Sequence, residues 1–160
     1  MPADGVWGGR RPGAGRPIGF NSREELRMSE QEYARGKEIR DEAFRDEGTG
    51  RWNELNEIAP SHARAIHEYC FGQMWDQPHL DMKFRELIVI ATAAAQDLPG
   101  EVKMHVRGAL NRGGTRGEVI DTILNCAPYI GFPKTNHALY AAKEVLDLWD
   151  EEKGDWKQEK

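Results

Sequence analysis

From Pro60 onward, apolar residues recur every three or four positions, which is the repeat of one face of an α-helix. This periodicity limits the fold more than any other feature of the sequence. Five such segments follow one another, and no alternating apolar and polar run flanked by hairpin turns interrupts them. Each helix has to bury its apolar face against the others. The sequence therefore predicts an all-α, single-domain bundle of about six helices.

The helix boundaries are indicated by proline, capping and glycine signals. The predicted inward faces are Ala63, Ile66, His67, Cys70 and Met74; Phe84, Leu87, Ile88, Ala91 and Ala94; Val102, Val106, Ala109 and Leu110; Val119, Ile120, Ile123, Leu124 and Ala127; and Ala138, Ala141, Ala142, Val145, Leu146 and Trp149. The boundary signals are Pro60 in a first turn, Asp81 as a cap, the Gly113-Gly114 stop, the Thr115-x-x-Glu118 capping box and Pro133 before the last helix.

The segment before Pro60 predicts one further helix, with a narrow docking face. Residues 23–57 hold 18 charged side chains, mostly typical of a solvated surface. Ser29-x-x-Glu32 has the form of a capping box, and the helix is expected from about Glu30 to Asp46. Its stripe consists of Tyr33, Gly36, Arg40 and Phe44. Because Arg40 shares this stripe, we expect it to point inward, toward an anion.

The chain divides into an arm over residues 1–22, a helical domain over 23–150 and a charged tail over 151–160. The arm holds six glycines, three prolines and three arginines, and such a composition does not form a packed core by itself. It is expected to be flexible. Two alternatives are a strap that orders against a neighbouring subunit and an AT-hook-like contact through Gly15-Arg16-Pro17.

Composition excludes several classes of protein. The longest apolar stretch, Leu87 to Ala95, is far below the roughly 20 residues that span a bilayer, and no secretory signal is recognisable. The net charge of −5 argues against general nucleic-acid binding. The two cysteines, Cys70 and Cys126, form no CxxC pair, so a disulfide framework or zinc ribbon is not expected. We expect a soluble cytoplasmic protein without membrane or nucleic-acid partners.

One histidine has the surroundings of an acid–base catalyst. Glu101 precedes His105 by four residues, which places both on one helix face within hydrogen-bonding reach. A neighbouring carboxylate fixes the imidazole tautomer, as proton transfer requires. Glu86 lies on the helix expected to pair with that of His105, and it would present a second carboxylate to the imidazole. The ordinary alternative for a Glu-His pair at this spacing is a surface contact.

Four segments together resemble the carboxymuconolactone decarboxylase family, in its gamma-carboxymuconolactone branch. The resemblance runs from about residue 30 to 150, and its motifs are YARGKEIR at 33–40, FGQMWDQPHLDMKFR at 71–85, EVKMHVRGALNRG at 101–113 and YIGFPKTN at 129–136. It implies a fold like that of alkyl hydroperoxidase D. In the peroxidase branch a CxxC pair lies between a glutamate and a histidine. Here Leu98 and Glu101 occupy the cysteine positions between Glu86 and His105, which excludes peroxide reduction by a dithiol.

The resemblance implies a cofactor-free decarboxylase, without a metal, that acts on a carboxymuconolactone-type acid in the beta-ketoadipate pathway of aromatic-compound catabolism. His105 would be the proton donor, Glu101 its orienting partner and Glu86 a second acid or base. That branch often has a small residue, such as serine, at the position of Glu86. An extra carboxylate there would repel a dianionic substrate unless it were protonated or ion-paired.

Arginines suit the carboxylates of such a substrate, because a guanidinium binds a carboxylate with two parallel hydrogen bonds. Arg40, Arg85 and Arg107 are the predicted substrate-binding residues, and Trp75 is a predicted pocket wall or core anchor. Arg107 lies two residues from His105, so it is expected on nearly the opposite helix face. Surface ion pairing is the alternative interpretation for Arg85 and Arg107.

Two other functions remain open at the level of sequence. The first is an acid–base isomerase or hydrolase that acts on a related ring-cleavage dicarboxylate, and Glu86 is its main support. The second is a non-catalytic homologue that uses the basic arm as a tether. The resemblance further implies a homotrimer or homohexamer with sites near subunit contacts.

Overall fold

The computed structural model of the protein describes residues 23–154, which form helices joined by short connections, with no β-strand among them. The all-α prediction is therefore confirmed. The elements are α1 (Arg23–Ile58), α2 (Pro60–Ala65), a π-helical segment (Ile66–Trp75), α3 (Met82–Gln96), α4 (Pro99–Asn111), α5 (Arg116–Ile130) and α6 (Phe132–Gly154). The predicted arm lies outside the described residues. The last helix continues into the predicted tail as far as Gly154.

Two apolar clusters make the core. The larger one is formed by α3, α4, α5 and α6, and its fully buried members include Ile90, Val102, Val106, Val119 and Ile123. The smaller one joins α1 to the π-helical segment, and its members are Ile39, Ala43, Phe44, Phe71 and Trp75. α4 packs against α3 on one side and α1 on another. It therefore lies where the two clusters meet.

Helix α1 is longer than its predicted range from Glu30 to Asp46. The predicted capping box is wrong, because Ser29 lies inside the helix and donates its hydroxyl to Glu68 at 2.5 Å. The predicted docking stripe does face inward. Arg40 and Phe44 are both buried, and Arg40 thus points inward as expected. The Ser29 hydroxyl therefore binds a residue that is distant in sequence instead of capping the helix, and the local sequence does not reveal that contact.

The α1 backbone approaches the π-helical segment so closely that only glycine fits at the crossing. A Cβ on Gly36 would lie 1.8 Å from the carbonyl oxygen of His67, and one on Gly72 would lie 2.1 Å from that of Glu32. Beyond this crossing, α1 kinks at Arg45, whose φ of 47° is outside helical geometry. After the kink, Trp52 packs against the rings of His67 and Phe71.

The π-helical segment changes which residues face the core. An α-helix would turn Ala63, His67, Cys70 and Met74 inward, as the sequence predicted. The i→i+5 hydrogen bonds of a π-helix widen the turn. The buried positions of the segment become His67, Phe71, Gly72 and Trp75, while Met74 is exposed.

Helix α3 buries a face that coincides only in part with the predicted one, at Ala94 and at the partly buried Leu87. Its buried residues are Glu86, Ile90, Ala93 and Ala94. Phe84 and Ile88, two members of the predicted stripe, are 48% and 52% exposed. The buried positions 86 and 90 each lie two residues after an exposed one, so Phe84 and Ile88 form an apolar strip on the surface of α3.

Three of the predicted boundary signals of the later helices are confirmed, whereas α6 begins at Phe132, before Pro133. Asp81 caps α3 by accepting from the Lys83 N–H at 2.9 Å. Thr115 and Glu118 form a complete capping box on α5. Gly113 has φ of 80°, a left-handed conformation that ends α4.

The two cysteines are free thiols, and burial raises the pKa of both Cys70 and Cys126. Among residues 23–154, no helix is both long and apolar enough to cross a membrane.

Candidate active site

A buried histidine–carboxylate pair joins α3 to α4. Nδ1 of His105 donates to Oε2 of Glu86 over 2.7 Å. Glu86 is completely buried, and His105 is 6% exposed. A carboxylate at Nδ1 fixes the proton on that nitrogen, which leaves Nε2 as the atom available to a ligand. The sequence placed Glu101 in this position, whereas the structure gives it to Glu86.

Glu86 fits because α4 has no side chain at the facing position. A Cβ on Gly108 would lie 2.6 Å from the carboxyl carbon of Glu86 and 2.6–2.7 Å from its two oxygens. Glycine normally weakens a helix interior by about 0.5–1 kcal/mol relative to alanine. Here the missing side chain leaves room for the carboxylate of Glu86, one turn after His105, and we call this space the carboxylate seat.

An arginine whose side chain is 9% exposed lies on the other side of the same carboxylate. Nε of Arg112 is 3.4 Å from Oε1 of Glu86, and its Nη2 donates to the carbonyl of Ile39 at 2.6 Å. Nη1 lies 3.5 Å from Glu42. Arg112 thus links the end of α4 to α1 and places a positive charge beside a wholly buried acid. Glu86 is ion-paired, which removes the expected repulsion of an anionic substrate.

Aromatic rings enclose the imidazole. Phe44 meets the His105 ring edge-on at 5.5 Å between centroids, and Trp75 lies tilted at 6.0 Å. Among the described residues, Nε2 of His105 has no hydrogen-bond partner. The ring combines a fixed proton at Nδ1, a free nitrogen at Nε2 and an apolar surround. These are the features of an acid–base group that acts in a site with little water.

Arg40 belongs to a second histidine cluster in the α1 half of the molecule. Its Nη1 donates to Nε2 of His67 at 2.9 Å, and it also pairs with Asp41. Nδ1 of His67 therefore carries the proton and donates to the carbonyl of Ala63 at 2.8 Å. Burial, followed by the charge of Arg40, lowers the pKa of His67. This histidine is held neutral.

The other predicted site residues have partners away from His105. Glu101 pairs with Arg51 at 3.0 Å. Arg85 donates to the carbonyls of Met74 and Gln77, so it ties the end of the π-helical segment to α3. Arg107 pairs with Glu152 and lies over the ring of Trp149. Of the predicted residues, the structure brings together only His105, Glu86 and Trp75.

A cavity of about 370 Å³ lies beside the aromatic wall. Phe44 and Met104 belong to its lining, and Phe44 also contacts the His105 ring. Its basic residues are Arg51, Lys103 and Arg107. A second cavity of about 340 Å³ shares Arg51 and Met104 with it. Arg107 is thus in reach of a ligand of the first cavity, on the face opposite to that of Glu86.

Sequence reasoning missed Gly108 and Arg112. Helical spacing could have indicated them, because Gly108 and Arg112 follow His105 by three and seven residues and so share its helix face. Arg112 lies at the end of α4, next to the Gly113-Gly114 stop, and no role was predicted for it from the sequence. Its partner Ile39 is 73 residues away in sequence, and no local pattern announces that contact.

Comparison with known proteins shows the family of the sequence. The model of the carboxymuconolactone decarboxylase family matches residues 60–144, more than half of the chain. The chain belongs to the carboxymuconolactone decarboxylase family. Both His105 and Glu86 lie in the matched region, while the aromatic wall residue Phe44 lies before it.

Three relatives extend this comparison. The chain is 34% identical over 118 residues to 4-carboxymuconolactone decarboxylase of Acinetobacter baylyi, covering 73% of this chain and 88% of that one. It is 33% identical over 94 residues to nitrosuccinic acid decarboxylase of Metarhizium robertsii, covering 58% and 64%. An uncharacterized 15.0 kDa protein of Paracoccus denitrificans is 31% identical over 100 residues, covering 61% and 75%.

Proposed function

We propose that this member of the carboxymuconolactone decarboxylase family is a carboxy-lyase for a carboxymuconolactone-type acid, with His105 as proton donor. The observation that carries the proposal is the His105 imidazole, anchored at Nδ1 by buried Glu86 and free at Nε2. Two relatives with decarboxylase names support the reaction class.

The proposed reaction uses the substrate as its own electron acceptor. The bond between the ring carbon and the carboxylate breaks, CO2 leaves, and the electron pair spreads through the ring double bond onto the lactone carbonyl oxygen. A proton must then reach carbon. The doubly protonated His105 supplies it from Nε2, and the resulting neutral ring regains a proton from water.

Glu86 takes the orienting role that the sequence assigned to Glu101. It lies behind the imidazole and is completely buried, so it acts through His105 and not on substrate. A fixed Nδ1 proton keeps Nε2 directed to one place, and such positioning is a main source of catalysis. Glu101 has no orienting role in this proposal, because it forms an ion pair with Arg51.

The 370 Å³ cavity suits the remaining carboxylate of the substrate. Arg51, Lys103 and Arg107 surround an apolar floor that includes Phe44. Each of these cations pairs with a glutamate that an incoming carboxylate can replace. Arg107 is therefore retained as a substrate-binding residue. Arg40 and Arg85 are assigned to packing, because their nitrogens bind His67, Asp41 and backbone carbonyls.

The experiment that tests the proposal is incubation with 4-carboxymuconolactone, with measurement of CO2 and of the enol-lactone. We expect both to form in equal amounts. Nitrosuccinic acid is the second substrate to test, because its nitro group also accepts the electron pair of a departing carboxylate. Loss of lactone without CO2 would favour an isomerase or hydrolase, and no change in any diacid would favour a non-catalytic homologue.

Variants separate the roles of individual residues. His105→Gln should lower kcat by about 10²- to 10⁴-fold, the usual contribution of a general acid. His137→Gln is the matched control, because His137 also binds a carboxylate, Asp97, through Nδ1 but is exposed. Glu86→Gln should lower kcat more than Glu101→Gln. Full activity in His105→Gln would refute the assignment of the proton donor.

We also propose that copies of the chain associate in the cytoplasm as a homotrimer or homohexamer. Large apolar side chains on α3, α5 and α6 are exposed, among them Phe84, Ile88, Leu124, Phe132 and Tyr140. Surfaces of this kind commonly mark protein interfaces. Sedimentation should show an oligomer that Ile88→Glu dissociates and that the control Gln96→Glu leaves intact.

A further inference from the structure

Glu86 poses an electrostatic problem that its histidine partner does not solve alone. Its Oε2 binds His105, but its Oε1 has no hydrogen-bond partner among the described residues and is fully buried. A buried carboxylate oxygen without a partner is costly. An isolated acid in such a place would take up a proton, and a protonated Glu86 no longer guarantees the Nδ1 proton of His105.

The other basic partner of Glu86 is Arg112, whose own Nε is likewise buried and has no hydrogen-bond partner among the described residues. These two unsatisfied atoms face each other at 3.4 Å. The arginine is fixed to α1 by the hydrogen bond from its Nη2 to the carbonyl of Ile39 at 2.6 Å, and the exposed Glu42 approaches its Nη1 only at 3.5 Å. Its position therefore does not depend on Glu86.

We propose that Arg112 is a positioning residue of this site, which keeps Glu86 ionised and thereby holds His105 in the Nδ1–H tautomer. Arg112 acts on the charge of Glu86, and Glu86 in turn acts on the tautomer of His105. Arg112 touches neither the imidazole nor the 370 Å³ cavity. Its effect on catalysis rests on the proposed function, whereas its effect on the tautomer does not.

The tautomer is measured directly by the ¹⁵N chemical shifts of the His105 ring, assigned by comparison with His105→Gln. In the unaltered protein we expect Nδ1 to be protonated and Nε2 unprotonated whenever the ring is neutral. In Arg112→Gln we expect a large fraction of the Nε2–H form, because a protonated Glu86 can donate to Nδ1. Arg112→Lys retains the charge and should retain the Nδ1–H form.

Two control variants isolate the contact with Glu86. Glu42→Gln removes only the exposed partner of Arg112, and we expect the original tautomer and activity. Arg116→Gln removes an arginine that also makes two contacts with acids, Asp147 and Asp150, at the surface. It should leave the His105 spectrum unchanged.

Kinetics supply the second measurement. Arg112→Gln should lower kcat about 10- to 100-fold, part of the gain that a general acid provides, with KM within about twofold. A purely structural role would lower the amount of folded enzyme without changing the tautomer of what remains. Rescue of kcat by Arg112→Lys would support the charge argument.

Several results would overturn the proposal. One is an unchanged tautomer in folded Arg112→Gln, and a changed tautomer with kcat unaltered would overturn the catalytic part of the proposal. If Arg112→Gln does not fold, Arg112→Lys decides, because loss of the Nδ1–H form despite a retained charge contradicts the argument. If the unaltered protein has no decarboxylase activity, the proposed function fails, and the ¹⁵N spectra still decide the role of Arg112.

Discussion

Replacing Gly108 by alanine tests the geometry of the carboxylate seat. The new methyl carbon would lie 2.6 Å from the carboxyl carbon of Glu86, where ordinary contacts begin at 3.4 Å. Glu86 must therefore retreat by about 0.8 Å, the difference between these distances. If it moves straight away from His105, the 2.7 Å hydrogen bond lengthens to about 3.5 Å, beyond the range of a real hydrogen bond.

The size of the effect follows from three opposing contributions. Forcing a methyl group into a packed core costs about 1–3 kcal/mol. Losing a hydrogen bond to a buried charge costs about 1.5–3 kcal/mol. Alanine in a helix returns about 0.5–1 kcal/mol relative to glycine. We expect Gly108→Ala to lower the free energy of unfolding by about 2–5 kcal/mol.

The assay is urea unfolding, with Gly100→Ala as the control in the same helix. A Cβ on Gly100 meets nothing within 4 Å, so this variant should be neutral or more stable. A double-mutant cycle adds Glu86→Ala, which removes the carboxylate that the methyl group strikes. The account of the carboxylate seat would be refuted if Gly108→Ala and Gly100→Ala changed the free energy of unfolding equally. It would also be refuted if Gly108→Ala destabilised the Glu86→Ala protein as much as it destabilises the unaltered one.

Three further predictions concern the scaffold. Gly36→Ala should cost at least about 3 kcal/mol or prevent folding, because its methyl group meets the rigid carbonyl of His67 at 1.8 Å; near-normal urea stability would contradict this close approach. Burial and Arg40 lower the pKa of His67, so the unfolded chain takes up the proton at a higher pH than the folded one. The free energy of unfolding should therefore be highest above pH 6.5 and should decrease at lower pH by up to about 1.4 kcal/mol per pH unit. In His67→Gln, urea titrations should show a weaker dependence of this free energy on pH. Thr115→Ala should cost about 1 kcal/mol through its lost cap on α5, and a thermal melt equal to that of the control Thr92→Ala would argue against it.

Features that depend on nearby residues could be predicted from the sequence. The caps of α3 and α5 are examples, because a side chain and the backbone two or three residues away decide them. The pairing of α3 with α4, which presents Glu86 to His105, was also within reach of helical periodicity. The preference for Glu101 failed because spacing on one helix does not reveal a stronger partner on another. Glu101 is held by Arg51, 50 residues away.

Other features depend on geometry that sequence patterns do not contain. The wider turn of the π-helical segment replaces Met74 with Trp75 on the inward face, although both are apolar. Likewise, hydrophobic periodicity treats Phe84 and Ile88 as core residues, because it cannot tell the interior of one chain from a surface that remains apolar. Both discrepancies are rotations of a helix face, with the helix itself correctly located.

The two halves of the site come from different parts of the chain. The histidine and its carboxylate lie within residues 60–144, which the family shares, whereas Phe44 and the carbonyl that anchors Arg112 belong to α1, ahead of that region. The leading helix thus supplies one wall of the cavity, through Phe44 and Arg51, whereas α4 contributes Lys103, Met104 and Arg107 from the shared region. An exchange of the leading helix between homologues would therefore alter a wall of the cavity and the anchor of Arg112 at the same time.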